Sequence, residues 1–343
     1  MARWLLLIAL STALTGCGAL ASQQAGPTPR PTVTVTPMST PLVYPSTPPP
    51  VGSFENPIRW VMVPADSEAA EPLREVLAAV LSETLGAAFE VELVTTQAEV
   101  IEQVCSPLLD RAVMGTVDAV GYAIVSARGC AMPALRLVSD GARGDEVLIV
   151  ARQAESLEAA RSLKLPFCRL SSADLESWVL PLLLLRTLRQ DESVLGQPLD
   201  RRSHTESLRT ISGGGCWGAA VPGRVFDALR AAGDPLVEGM RVLERTPRLP
   251  FGVVVIPASV PSNLRARLTA LLEGQARLSA SAALEAAPDP GATPDFEAAV
   301  TSFTDLAPAF FGSFQLAAVD AGDLEVADRF FAQTRLDFAR LGR

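Results

Sequence analysis

Leu73, Val76, Leu77, Val80, Leu81 and Leu85 step along the chain at intervals of three and four, the period of one helix face. Gly86 stands where such a helix would stop. On either side the pattern changes. Ile58-Arg59-Trp60-Val61-Met62-Val63 and Phe89-Glu90-Val91-Glu92-Leu93-Val94 read as strands, the second by apolar–polar alternation. A helix over 98–104 follows, and the run Val117-Asp118-Ala119-Val120-Gly121-Tyr122 reads as a third strand. This β-α-β-α-β order implies a mostly parallel sheet with helices on both faces. The alternation returns as strand 165–169, helix 175–189, strand 216–221, helix 224–232, strand 252–256 and helix 261–275. A Pro/Ala/Gly-rich stretch at 282–295 reads as a linker, and helices near 296–303 and 324–341 close the chain.

The first residues carry a different signal. Met1-Ala2-Arg3 is a short positive start, and the apolar run from Trp4 to Leu14 is too short to span a bilayer. Leu14-Thr15-Gly16-Cys17 has the pattern of a lipobox. This predicts a signal peptide over 1–16 and a lipid-modified Cys17 at the head of the mature chain; a plain cleaved signal with an accidental cysteine is the alternative. Two or three acyl chains, at ~0.8 kcal/mol per buried CH₂, hold a protein stably on a membrane. Residues 17–52 are rich in Pro, Thr and Ser, a composition that extends as a tether rather than joining a core. The expected location is the extracytoplasmic face of the cell membrane.

The chain is 48% hydrophobic and 20% charged, which makes the remainder globular. A net charge of −9 with no basic stripe argues against nucleic acid. Val179-Leu180-Pro181-Leu182-Leu183-Leu184-Leu185 is too short for a membrane span and reads as a buried helix. Cys105, Cys130, Cys168 and Cys216 form an even set in an exported chain, which points to disulfides. Three pairings exist; proximity and the lobe boundaries given below favour Cys105 with Cys130 and Cys168 with Cys216. No Cys-x-x-Cys occurs and His204 is the only histidine, so neither zinc nor another cofactor is expected.

Several stretches, taken in order, resemble the phosphate/phosphite/phosphonate substrate-binding proteins of ABC transporters. They are Asn56-Pro57-Ile58 leading to Pro64, 98–102 leading to Asp118, and Gly121-Tyr122-Ala123-Ile124-Val125-Ser126-Ala127-Arg128-Gly129. Phe167-Cys168-Arg169, Trp178 with Pro181, Ser203-His204, Gly218-Ala219 and Arg245-Thr246-Pro247-Arg248-Leu249-Pro250 continue the series. The resemblance implies an α/β type II periplasmic-binding fold. Two lobes, each a mostly parallel sheet flanked by helices, would be joined by a hinge and close on a ligand. It places the first part of lobe 1 at 53–145, lobe 2 at 146–247, a return to lobe 1 at 248–281, and a linker with C-terminal helices at 282–343. It also implies a small-molecule ligand, a permease partner and a monomer.

At the ligand site the chain departs from this pattern. Family members place Ser-Thr-Ser-Gly at a helix start just before a Trp and a Pro, where hydroxyls and free N–H groups hold the ligand's anionic head. Anchored on Trp178 and Pro181, the matching positions are Asp174, Leu175, Glu176 and Ser177. At ~4 Å and an effective dielectric of ~20, each carboxylate would repel a unit negative charge by about 4 kcal/mol. They could also cap the helix themselves. Ser171 and Ser172 lie one turn upstream and could slip into the role, although Ser171-x-x-Asp174 also reads as a capping pair. Tyr122 could line the cleft or be a buried strand aromatic. His204 could contact ligand or serve structurally. Asp66 follows the first strand, where it could face ligand or cap a helix. Trp217 is expected in the core, and Gly213-Gly214-Gly215 reads as a tight turn because no Lys-Ser/Thr follows it.

No Gly-x-Ser-x-Gly elbow exists and a triad would have to use His204, so no enzyme is expected. The function implied is a solute-binding lipoprotein of an ABC importer with a diverged site, its ligand an oxyanion by resemblance or a cationic or zwitterionic solute by the acidic site. The alternative is a sensor or surface-interaction lipoprotein on the same fold.

Overall fold

The computed structural model describes residues 48–106, 112–273, 303–320 and 322–341. The signal segment, Cys17, nearly all of the tether, the 282–295 linker and most of the helix expected near 296–303 lie outside the described residues.

Eleven strands are seen among the described residues: β1 (Ile58–Met62), β2 (Phe89–Leu93), β3 (Val113–Val117), β4 (Met132–Val138), β5 (Val147–Ala151), β6 (Phe167–Arg169), β7 (Pro198–Asp200), β8 (Gly218–Pro222), β9 (Arg241–Arg245), β10 (Val253–Ile256) and β11 (Gln315–Ala318). They form two sheets, ordered β11-β4-β10-β3-β1-β2 and β7-β6-β8-β5-β9. Both sheets are mixed. The parallel pairs expected from the alternation, β1 with β2 and β3 and β6 with β7 and β8, make one half of each. Antiparallel partners make the other half, because β10 and β5 enter their sheets from the opposite direction.

Period-two alternation sorts the side chains between the faces. In the first sheet Ile58, Trp60, Met62, Met114, Val254 and Ile256 share one apolar cluster with α2 (Arg74–Leu85) and α9 (Ser262–Leu272). Val61, Val113, Val117, Val253 and Val255 share the other with α3 (Gln97–Val104) and α4 (Ala119–Arg128). The second sheet divides likewise: Val147, Ile149, Phe167 and Ala220 on one face, Leu148, Val150, Cys168 and Val221 on the other. Trp217 is buried against Phe167, their ring centroids 5.1 Å apart, in the core position expected of it.

The third strand differs from the sequence reading. It ends at Val117, and the Asp118 carboxylate accepts the Gly121 N–H at 2.7 Å to cap α4. The run after Val117 is buried on almost every side, so it carries no period that separates strand from helix. Gly129, left-handed at φ 66°, closes the helix. Tyr122 is therefore a helix residue, not a strand aromatic.

The chain leaves the first sheet after β4, builds the second, and returns after β9. The two passages touch: Asp145 N–H donates to Leu249 at 2.9 Å and Leu249 N–H donates back at 2.8 Å. Gly144 lies at this crossing, where a Cβ would collide with the Leu249 carbonyl. Both expected disulfides are formed, Cys105–Cys130 and Cys168–Cys216. The final helices, α10 (Phe303–Phe311) and α11 (Glu325–Gln333), have different roles. α10 packs on the first lobe, with Phe310 and Phe311 in its core. Ala327, Phe330 and Phe331 of α11 join a cluster that holds Ala119, Ala123 and Ile124 of α4 together with the core of the second lobe.

Candidate functional site

Three parallel strands of the second sheet, β6, β7 and β8, each hand over to a helix at their C-terminal ends, the edge where open α/β sheets bind ligands. After β6 comes a turn and the one-turn π-helix Leu175–Val179, which runs on into α6 (Leu180–Thr187). After β7 comes α7 (His204–Ser212), and after β8 comes α8 (Gly223–Ala231). Glu176, His204 and Arg224 stand on the first residues of these helices. Asp145 arrives at the same edge because β5 is antiparallel to β8, with Val147 opposite Pro222.

These four side chains form one network. Arg224 Nη1 lies 3.1 Å from Glu176 Oε1 and 2.8 Å from Asp145 Oδ2. The Arg224 backbone N–H also faces both Asp145 oxygens, each at 3.3 Å. His204 Nε2 is 3.6 Å from Glu176 Oε2, and its Nδ1 is buried without a hydrogen-bond partner. The guanidinium also sits over the Phe251 ring, 5.5 Å from its centroid. Burial pushes the Glu176 carboxyl up, but the neighbouring His204 and Arg224 outweigh it and hold the group below the ordinary carboxylate range.

Asp174 is the helix cap. Its Oδ1 accepts the Ser177 N–H at 2.7 Å. The buried Ser177 hydroxyl accepts the Leu170 N–H at 2.9 Å. Ser171 does not pair with Asp174 as the Ser-x-x-Asp spacing implies; its oxygen takes the Ala173 N–H at 3.3 Å within the turn. Ser171 and Ser172 are both exposed on that turn.

In the first lobe, Asp66 ends the β1 connection and caps α1 (Ser67–Ala70), accepting from Glu68 and Ala69 N–H at 3.0 and 3.1 Å. Tyr122 is buried; burial first, then the negative Asp328 of α11, pushes its hydroxyl up to about 12. The structure thus gathers Asp174, Glu176, Ser177 and His204 on one edge, with Ser171 and Ser172 on the adjoining turn. Asp66 and Tyr122 lie in the other lobe, Asp66 committed to its helix cap and Tyr122 buried. Sequence reasoning missed Arg224 and Asp145. The sequence signal for Arg224 was its place one residue after Pro222-Gly223 at the end of a strand; nothing local marked Asp145. It also missed Asp118, the α4 cap, whose carboxyl is raised chiefly by burial. Among the described residues no group of three or more His, Cys, Asp or Glu is placed to hold a metal ion.

A family model described as ABC transporter, phosphonate, periplasmic substrate-binding protein matches residues 61–294. Among solved structures, XAC2383 from Xanthomonas citri, bound to ATP, aligns with a TM-score of 0.55 at 16% identity over 81% of this chain and 96% of its own. A binding protein component of an ABC phosphonate transporter from Pseudomonas aeruginosa aligns with a TM-score of 0.48 at 13% identity, covering 82% of this chain and 87% of that one. PhnD1 from Prochlorococcus marinus, in complex with methylphosphonate, aligns with a TM-score of 0.44 at 11% identity, covering 80% and 98%. No curated protein matches. At such identity the likeness to the Xanthomonas citri protein is one of fold, two α/β lobes built on separate mixed sheets.

Proposed function

The chain belongs to the periplasmic substrate-binding proteins of phosphonate ABC transporters, and we propose that within this family it is a membrane-anchored solute-binding lipoprotein whose ligand site no longer takes a phosphonate or phosphate. Its lobes would be 53–145 with 248–281, and 146–247, carried on the 17–52 tether from a lipidated Cys17. The ligand would sit between them, at the edge bearing Asp174, Glu176, Ser177 and His204, with Ser171, Ser172, Asp66 and Tyr122 as outlying candidates. A permease would receive it.

One observation carries the altered site. The Asp174 carboxylate takes the Ser177 N–H at 2.7 Å, so a donor that a helix start would offer to an oxyanion is engaged from within. The alternative reading, a sensor or surface partner on the same fold, draws on α11, whose phenylalanines pack into a cluster shared by both lobes and oppose free hinge motion.

Calorimetry of the full chain against methylphosphonate, phosphite, phosphate and simple amines tests the proposal. The expected result is no oxyanion binding tighter than about 1 mM, roughly 4 kcal/mol of standard binding free energy. Micromolar binding of methylphosphonate would overturn the altered site. The anchor has its own test. Among the described residues no helix is long and apolar enough to cross a membrane, so Cys17→Ser should move the protein to the soluble fraction or block signal removal. A variant that stays with membranes after signal cleavage would refute the anchor.

A further inference from the structure

An arginine fork beside an imidazole is a recognised way to hold an oxyanion, because planar N–H donors match two oxygens at once. Arg224 and His204 make such a pair at the ends of β8 and β7. The oxyanion they hold belongs to the chain. Glu176 puts Oε1 3.1 Å from Arg224 Nη1 and Oε2 3.6 Å from His204 Nε2, so one carboxylate spans both side chains. Asp145 fixes Arg224 from the other side, through the same Nη1 and the backbone N–H. The remaining guanidinium donors, Nε and Nη2, make no hydrogen bond or ion pair to the described residues, and the Arg224 side chain is 44% exposed. The cation is therefore positioned, reachable and half committed.

We propose that Glu176 acts as an internal ligand of the Arg224–His204 pair and is the residue that sets the solute class: with it the site rejects tetrahedral oxyanions, and without it the same guanidinium and imidazole accept them. The proposal rests on the reading of this edge as the ligand site. It differs from a plain structural ion pair in what removal of the carboxylate does. A structural pair would leave Arg224 without one of its carboxylates and a less stable protein. An internal ligand would leave a vacant anion site that phosphate can fill.

The chain has one histidine, so its imidazole resonances report on this site without assignment ambiguity. Inorganic phosphate and methylphosphonate are titrated into the full chain, Glu176→Ala, Glu176→Gln and Glu176→Ala/Arg224→Ala, followed by calorimetry and by imidazole ¹⁵N–¹H correlation. The unaltered protein should show no shift up to about 10 mM phosphate. Glu176→Ala should bind phosphate at least about tenfold more tightly and move the His204 signals, and the double variant should lose that gain. Glu176→Gln keeps the shape of the side chain and should gain in the same direction, which covers the case of an alanine variant that fails to fold. Folded Glu176 variants that bind no more tightly than the unaltered chain would overturn the internal ligand and leave the altered-site reading standing. Tight binding by the unaltered chain would overturn that reading as well. A gain that survives Arg224→Ala would place the anion elsewhere and also overturn the proposal.

Discussion

Asp323→Ala should destabilise the protein by about 3 kcal/mol or more, a drop in melting temperature on the order of 10 °C, because it strands a buried arginine. Arg136 lies on β4 with its side chain only 5% exposed, and Asp323, 10% exposed, is its ion-pair partner. The same carboxylate also holds Arg143 Nη1 at 3.2 Å and accepts the Asp320 N–H at 2.6 Å. Arg136 already has one buried donor, Nε, without a partner, so little remains to compensate the loss. Burial raises the Asp323 carboxyl, but Asp320 N–H, Arg136 and Arg143 together bring it below its ordinary value. A depressed folded pKa gives stability that is full above the unfolded value of about 3.9 and is lost as pH falls through the folded one. The gap between the two proteins should therefore stay constant from pH 7 to about 5 and narrow below about 4. Thermal melts by circular dichroism across that range decide it. A gap under about 1 kcal/mol at neutral pH would mean that Arg136 reaches water once Asp323 is gone.

That ion pair could not be read from the sequence, and the reason is general to this chain. Local patterns exposed α2, closed by Gly86, and β2 through the period of one wet face, while β1 and the strands around Phe167 and Val253 were legible as short apolar runs buried on both faces. They failed for α4, where both strand and helix would be buried; Asp118 and Gly129 were the cap signals that decide it. They also missed the interior strands β4 and β5, and β7, β9 and β11, strands of 3, 5 and 4 residues that end a sheet and whose existence depends on a neighbour rather than on their own pattern. The site divides in the same way. Asp174 and Glu176 could be found because Trp178 and Pro181 fix their register within one segment. Arg224 is 48 residues from Glu176 and 79 from Asp145, so their meeting follows from strand order and not from spacing. The two disulfides lie between these extremes, since four cysteines leave three pairings and lobe boundaries are enough to choose among them.

Those disulfides should differ both in how much they stabilise and in how easily they are reduced. In the chain-entropy account, closing separations of 25 and 48 residues is worth about 3.5 and about 4 kcal/mol. Cys168 lies within β6 and Cys216 just ahead of β8, strands already paired side by side, so the bond adds little to the native sheet and acts mainly on the unfolded chain. Cys168→Ala/Cys216→Ala should then lower stability by about 4 kcal/mol, and Cys105→Ala/Cys130→Ala by slightly less. Access reverses the ranking. Cys168 and Cys216 are buried among Leu148, Val150, Leu208 and Phe226, out of reach of a reductant until that side of the lobe opens. Cys105 and Cys130 are only partly buried at the C-terminal ends of α3 and α4. Exchange needs direct access of a thiolate to sulfur, so dithiothreitol under native conditions should free Cys105 and Cys130 first and leave Cys168 and Cys216 to follow local unfolding. Thiol trapping over time with peptide mapping gives the order. Simultaneous release of all four thiols would mean that both bonds open only by global unfolding, and release of Cys168 and Cys216 first would mean that the second lobe opens more readily than its buried core implies.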